Sequence, residues 1–106
     1  MTLAETPART KRPHPPSPRV TDLVLERNEV VLWSLSPTGL VLHHVRRGAY
    51  LELDAAGYTL WAYLDGARNV GEAVTTTAAA HPDHTPRELL DVASALFANG
   101  FVLERR

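Results

Sequence analysis

The sequence predicts an α+β domain in which a three-stranded antiparallel sheet precedes three helices. Short β-branched and aromatic runs, separated by turn residues, occupy the chain from Asp22 to Leu53. After Asp54 the spacing of apolar residues changes to that of a helix. Two more capping signals, at Asn69 and Thr85, each precede another helical pattern, and an apolar run follows Gly100. This order of elements indicates a winged helix-turn-helix.

Three apolar runs form the predicted sheet, and their short, turn-rich connections predict an antiparallel meander. In the third run, Leu51 and Leu53 share one face, and Tyr50 and Glu52 share the other, because side chains alternate along a strand. The predicted strands are residues 30–35, 40–45 and 49–53, with a further short strand at 22–25 and a last one at 101–103.

Each predicted helix follows a residue that can cap its first turn. Asp54 is the candidate N-cap of the first helix, and Asn69 with Glu72 forms a capping pair for the second. Thr85-Pro86-Arg87-Glu88 combines an N-cap, a proline at the first helical position and the acid of a capping box. The apolar stripes are Gly57, Leu60, Trp61 and Leu64 in the first helix and Val70, Ala73, Val74, Thr77 and Ala78 in the second.

The third helix is apolar over an unusually wide arc. Its apolar side chains span about 160°, whereas a stripe of ~100° is enough to reach a core. Two interpretations stay open: the helix is deeply buried, or one edge of the arc borders a groove that a partner fills. An edge strand beside that groove would offer unpaired N–H and C=O groups to a peptide. The arc consists of Leu89, Leu90, Val92, Ala93, Leu96 and Phe97.

Residues 1–20 differ in composition from the rest of the chain. Five of the eight prolines lie there, together with four basic residues and a single acid, Glu5. Such a segment buries too little apolar surface to offset its chain entropy. We therefore expect a disordered, Pro-rich basic tail at residues 1–20 and a folded domain at residues 21–106.

Catalytic and metal-binding patterns are missing from the sequence. It has no cysteine, no Gly-rich phosphate loop and no nucleophile elbow. His43 and His44 are adjacent on a strand and so point to opposite faces, and Pro82 places His81 and His84 in a loop. We expect a protein without enzymatic activity, metal or cofactor. It also lacks an apolar run of the ~18–20 residues that span a membrane and a secretion signal, which predicts a cytoplasmic location without membrane contact.

The charge pattern argues against nucleic acid as a partner. The formal net charge is −1, and the third helix carries Arg87 against Glu88 and Asp91. Two acids beside one base would repel phosphate. A DNA-binding winged helix stays open as the alternative function, and a pure oligomerisation module as a third.

Several segments together resemble the PqqD-like family, the recognition elements of ribosomally synthesised and post-translationally modified peptides (RiPPs). The resemblance covers residues 22–104, with Asp54 where asparagine is more usual and Glu88 where aspartate is common. Both replacements keep an oxygen that can cap a helix. The segments are Tyr50-Leu51-Glu52-Leu53-Asp54, Leu60-Trp61, Leu64-Asp65-Gly66, Asn69-Val70-Gly71-Glu72, Glu88-Leu89, Val92-Ala93, Leu96 and Gly100-Phe101-Val102.

This resemblance implies a non-catalytic protein that binds the leader segment of a precursor peptide. The leader would add a strand to the third strand of the sheet, in the cleft beside the third helix. The protein would then present the precursor to a modifying enzyme, such as a radical-SAM enzyme or a lasso-type leader peptidase, and a homodimer stays open. The implied peptide-binding residues are Tyr50, Leu51, Glu52 and Leu53 on the strand and Leu89, Leu90, Ala93, Ser94 and Phe97 on the helix.

Overall fold

A computed structural model describes residues 19–105 and confirms the predicted order of sheet and helices. The tail predicted at residues 1–20 lies almost wholly outside these residues, so it stays a prediction. A 3₁₀ turn at Val20–Asp22 begins the described chain. The elements that follow are β1 (Leu25–Arg27), β2 (Val31–Ser36), β3 (Gly39–His44), β4 (Ala49–Leu53), α1 (Ala55–Tyr63), α2 (Val70–Ala80), α3 (Pro86–Ala98) and β5 (Val102–Glu104).

The main sheet is antiparallel, with the strand order β2-β3-β4 that the meander predicts. A two-residue loop joins β2 to β3, so these strands pair along their whole length, from Val31 opposite His44 to Ser36 opposite Gly39. Gly39 is needed at this corner because a Cβ atom there would overlap the Leu53 carbonyl oxygen of β4. The close approach ties the start of β3 to the end of β4.

A second, two-stranded sheet joins the two ends of the domain. β1 pairs antiparallel with β5, from Leu25 opposite Glu104 to Arg27 opposite Val102. The position predicted for the first strand, residues 22–25, is therefore wrong: residues 20–22 form a 3₁₀ turn and the strand begins at Leu25. Its position is decided by pairing with residues nearly 80 positions away, which a local pattern does not contain.

The helix caps form as the sequence predicts. Asp54 Oδ1 accepts a hydrogen bond from the Gly57 N–H at 2.8 Å, and the α2 and α3 capping boxes close in both directions. Gly100, at φ +77°, ends α3 in the left-handed conformation that glycine adopts without strain. These local contacts fix where each helix begins and where α3 ends.

The core lies between the inner face of the main sheet and the three helices. Leu40 and Leu42 project from the sheet onto Leu60 and Trp61 of α1 within one continuous apolar cluster. His44 is 5% exposed, and its ring meets Phe101 edge-on at 6.0 Å. The cluster consists of Leu25, Val31, Leu40, Leu42, Leu53, Ala56, Leu60, Trp61, Leu64, Val70, Ala73, Val74, Leu89, Ala93, Leu96, Phe101 and Val102.

Candidate functional site

The free edge of β4 carries unpaired backbone groups. Within residues 19–105, no strand pairs with its outer side. The register of β2 and β3 continues to Val45 opposite Val30, and the Val45 N–H donates a hydrogen bond to the Val30 carbonyl oxygen at 3.4 Å. Every second residue of β3 before Val45, that is each odd-numbered one, therefore forms its backbone hydrogen bonds with β2. Because antiparallel bonding alternates along a strand, β4 uses residues 49, 51 and 53 to bond β3. Tyr50 and Glu52 are left with their N–H and C=O groups directed away from the sheet.

Helix α3 runs beside this edge and meets the strand region at both ends. At its start, His84 Nε2 lies 3.4 Å from Asp54 Oδ2, directly after β4. At its end, a Cβ atom built on Gly100 would lie 3.3 Å from the Arg47 guanidinium carbon and 3.4 Å from His44 Nε2, next to the turn that precedes β4. Helix α3 is therefore antiparallel to β4, and the region between β4 and α3 that these two contacts bound is termed the cleft.

The α3 residues predicted to bind the peptide lie on two separate stripes of the helix. Leu89 and Ala93 are 1% and 0% exposed, so they support the helix from within the core and present no surface to a ligand. Leu90, Ser94 and Phe97 are half-buried. Their i, i+4, i+7 spacing places them on one stripe, about 100° round the helix from the core residues. Of the α3 residues predicted to bind the peptide, only this second stripe is accessible.

The β4 residues predicted to bind the peptide lie on both faces of the sheet. Leu51 is half-buried and Leu53 is 7% exposed, both on the inner face that packs on the helices. Tyr50, at 69% exposed, and Glu52 project from the outer face. The predicted division between the two faces is confirmed.

The outer face holds an aromatic row that sequence reasoning missed. Tyr50 stacks on His43, with ring centroids 4.2 Å apart and an interplanar angle of 5°. Leu32 lies directly opposite His43 on β2, so the three side chains cross the sheet in one line. The row depends on the register of three strands. Pairing the runs through their turn residues is the signal that could have found it.

The two histidines between α2 and α3, His81 and His84, are engaged in local contacts. His81 Nε2 lies 2.9 Å from Thr59 Oγ1, and His84 lies 3.4 to 3.9 Å from the carboxylates of Asp54, Asp83 and Glu88. In the part of the chain that the structure describes, no group of three or more His, Cys, Asp or Glu residues is arranged to hold a metal ion. None of its helices is long and apolar enough to span a membrane.

Comparison with known proteins identifies a family that matches more than half of this chain. The family described as coenzyme PQQ synthesis protein D (PqqD) matches residues 39–102, which run from β3 to the start of β5 and include β4 and α3. Among solved structures, the chain is similar to "TbiB1 in Complex with the TbiA(beta) Leader Peptide". The TM-score is 0.60 at 25% sequence identity, over 76% of this chain and 98% of that one. No curated protein matches the chain.

Proposed function

This chain belongs to the PqqD family, as its motifs predicted, and from that premise we propose that it binds the leader segment of a RiPP precursor peptide. The structural relative in complex with a leader peptide supports the same class of ligand. The proposed site is the free edge of β4 together with the stripe Leu90, Ser94 and Phe97 on α3. The free backbone groups of Tyr50 and Glu52 are the observation that carries the proposal.

The mechanism is strand addition to β4. Each of Tyr50 and Glu52 offers one N–H and one C=O, and an extended peptide can pair with all four groups. These bonds are independent of the peptide's sequence. Selectivity comes from the peptide side chains opposite Leu51 and Leu53, which project toward α3 and meet Leu90 and Phe97. We expect the bound segment to have apolar residues at alternate positions.

The proposed role is binding without catalysis. The cleft is bordered by a backbone edge and by mostly apolar side chains, which suit recognition of an extended chain. The His84–Asp54 pair at the end of the cleft has a structural role, since Asp54 caps α1 and His84 lies among three carboxylates beside the start of α3. The proposal therefore requires a separate enzyme to modify the precursor.

Presentation to that enzyme, a radical-SAM enzyme or a lasso-type leader peptidase, requires a surface that the leader leaves free. We propose β2 for this role. Leu32, Trp33 and Leu35 are 60%, 56% and 65% exposed, and β2 forms the edge of the sheet opposite β4. An exposed apolar edge strand is usually covered by a partner.

The substitution Trp33→Glu tests this assignment. The variant should no longer capture the modifying enzyme but should still bind the leader. If the chain alone instead forms a concentration-dependent dimer through β2, the assignment of β2 to the enzyme is wrong.

The alternative, a DNA-binding winged helix, receives no support from the charges of α3. Arg87 lies 3.8 Å from Asp91 on the exposed face of the helix, so its charge already has an acidic neighbour. Glu88 follows Arg87 directly and adds a second acid to this helix, so the face that would enter a major groove is not basic. We expect random duplex DNA to bind no better than the non-specific range of about 10⁻⁴–10⁻⁶ M at physiological salt.

A titration with a synthetic leader tests the proposed function. The probe is the labelled N-terminal segment of the precursor peptide encoded beside this chain, with a scrambled peptide of the same composition as control. We expect saturable binding of the leader alone, measured by fluorescence anisotropy. Absence of leader binding, or tight sequence-dependent binding of duplex DNA, would overturn the proposal.

Amide hydrogen exchange then tests the site. Bound leader should slow exchange of the outward N–H groups of Tyr50 and Glu52. Leu51, whose N–H already bonds to β3, is an internal control in the same strand and should change much less. Equal protection of all three amides would indicate general stabilisation rather than strand addition.

A further inference from the structure

The outer face of the main sheet has two rows of side chains that stop at the free edge of β4. In the first row, Tyr50 stacks on His43, and Leu32 continues the line onto β2. In the second row, Glu52 lies opposite Val41, which lies opposite Ser34. Neither row has a neighbour beyond β4 among residues 19–105. Tyr50 and Glu52 are both exposed at the ends of their rows.

A strand added to β4 would extend both rows. Residues directly opposite each other in neighbouring strands project from the same face, with Cβ atoms about 5 Å apart. The leader residue opposite Tyr50 therefore lies against a ring that His43 already holds in place. The leader residue opposite Glu52 meets a carboxylate that takes part in none of the ion pairs of the described residues.

We propose that the leader is recognised on both faces of the added strand, with Tyr50 and Glu52 as specificity-determining residues on the outer face. Tyr50 selects an aromatic or long apolar side chain, because the stacked rings offer a flat apolar surface. Glu52 selects lysine or arginine. The aromatic and basic positions of the leader are separated by one residue, whichever direction the strand runs, and the residue between them faces α3.

This inference rests on the proposed function and adds to it a chemical pattern for the ligand. An alternation of apolar residues alone would satisfy the cleft beside α3. The outer face adds a charge requirement, which apolar contacts cannot impose, and it does so from a surface outside the cleft. Many leaders with similar apolar residues would then be distinguished by one basic side chain.

Charge reversal tests the role of Glu52. The probe is again the synthetic leader, prepared as a set in which each position in turn is replaced by glutamate. We expect Glu52→Lys to weaken binding of the parent leader about fivefold, as the loss of one cross-strand charge pair predicts. One glutamate-substituted leader should recover affinity for this variant while binding the parent protein more weakly. Glu29→Lys makes the same change in net charge in the turn before β2, away from β4, and should leave affinity unchanged.

Ring replacement tests the role of Tyr50. Tyr50→Phe keeps the stacking surface and should bind the leader normally, whereas Tyr50→Ala should bind it about two- to fivefold more weakly. Within the same set of glutamate-substituted leaders, one position should change its effect on affinity when Tyr50 is replaced by alanine. This position should lie two residues from the one identified with Glu52→Lys. Any other separation would overturn the inference.

The outcomes separate this inference from the proposed function. If Glu52→Lys and Tyr50→Ala bind the leader as the parent does while Leu90→Glu does not, the cleft is the site and the outer face is not read. If Glu52→Lys weakens binding but no glutamate-substituted leader restores it, recognition of a basic side chain is wrong. If the parent protein binds no leader, the proposed function itself fails.

Discussion

Replacing Glu52 with proline tests whether a peptide bonds to the outward backbone of β4. Proline removes the N–H of residue 52, which points away from β3 and takes part in no bond of the sheet. Proline is tolerated on an edge strand at such a position, and Leu51 before it already has the extended backbone that proline requires. Leu51→Pro would be a poor substitute, because the Leu51 N–H belongs to the ladder with β3.

The expected size of the effect follows from the number of outward groups. Tyr50 and Glu52 offer four, and each bond to the peptide contributes about 0.5–1.5 kcal/mol net. The proline variant loses one bond and leaves a peptide carbonyl without its partner. Together these changes cost about 1–2 kcal/mol, roughly a five- to thirtyfold increase in Kd.

Calorimetric titration of Glu52→Pro and Glu52→Ala with the same leader isolates the backbone contribution. Both variants lack the carboxylate, but only the alanine variant keeps the N–H. Thermal unfolding of both variants should confirm that the sheet is intact. If the proline variant is folded and binds the leader as tightly as the alanine variant, the leader does not pair with this edge and strand addition to β4 is wrong.

Three further predictions concern the accessible stripe of α3, the N-terminal cap of α3 and residues 1–18. At least one of Leu90→Glu and Ser94→Arg should stay folded by circular dichroism yet lose about thirtyfold in leader affinity, as the loss of an anchor worth ~2 kcal/mol predicts; normal binding by both folded variants would place the groove elsewhere. Thr85→Ala removes the capping box of α3 and should lower the free energy of unfolding in urea by about 1 kcal/mol, and unchanged stability would show that the cap contributes nothing. Deleting residues 1–18 should leave the thermal midpoint nearly unchanged because their sequence lacks a core-forming pattern, so a fall of several degrees would contradict that interpretation.

The helices and most of the strands are predictable from the sequence because their signals are local. The capping boxes at Asn69 and Thr85 each join residues three positions apart, so the sequence contains the complete contact. The alternation in residues 49–53 and the turn at Pro37-Thr38 likewise depend on neighbours along the chain. The family resemblance combined these signals and pointed to β4 and α3 together.

Which side chains and backbone groups are accessible depends on how the strands and helices pack, and local sequence patterns do not contain that information. The wide arc of α3 did not reveal that Leu89 and Ala93 are core residues whereas Leu90 is half-buried, because that depends on how the helix is rotated against α1 and α2. The row that ends at Tyr50, the outward groups of Tyr50 and Glu52, and the start of β1 at Leu25 all follow from the register between strands. Register and rotation are set by contacts between residues far apart in sequence, and one strand or helix examined alone contains none of them.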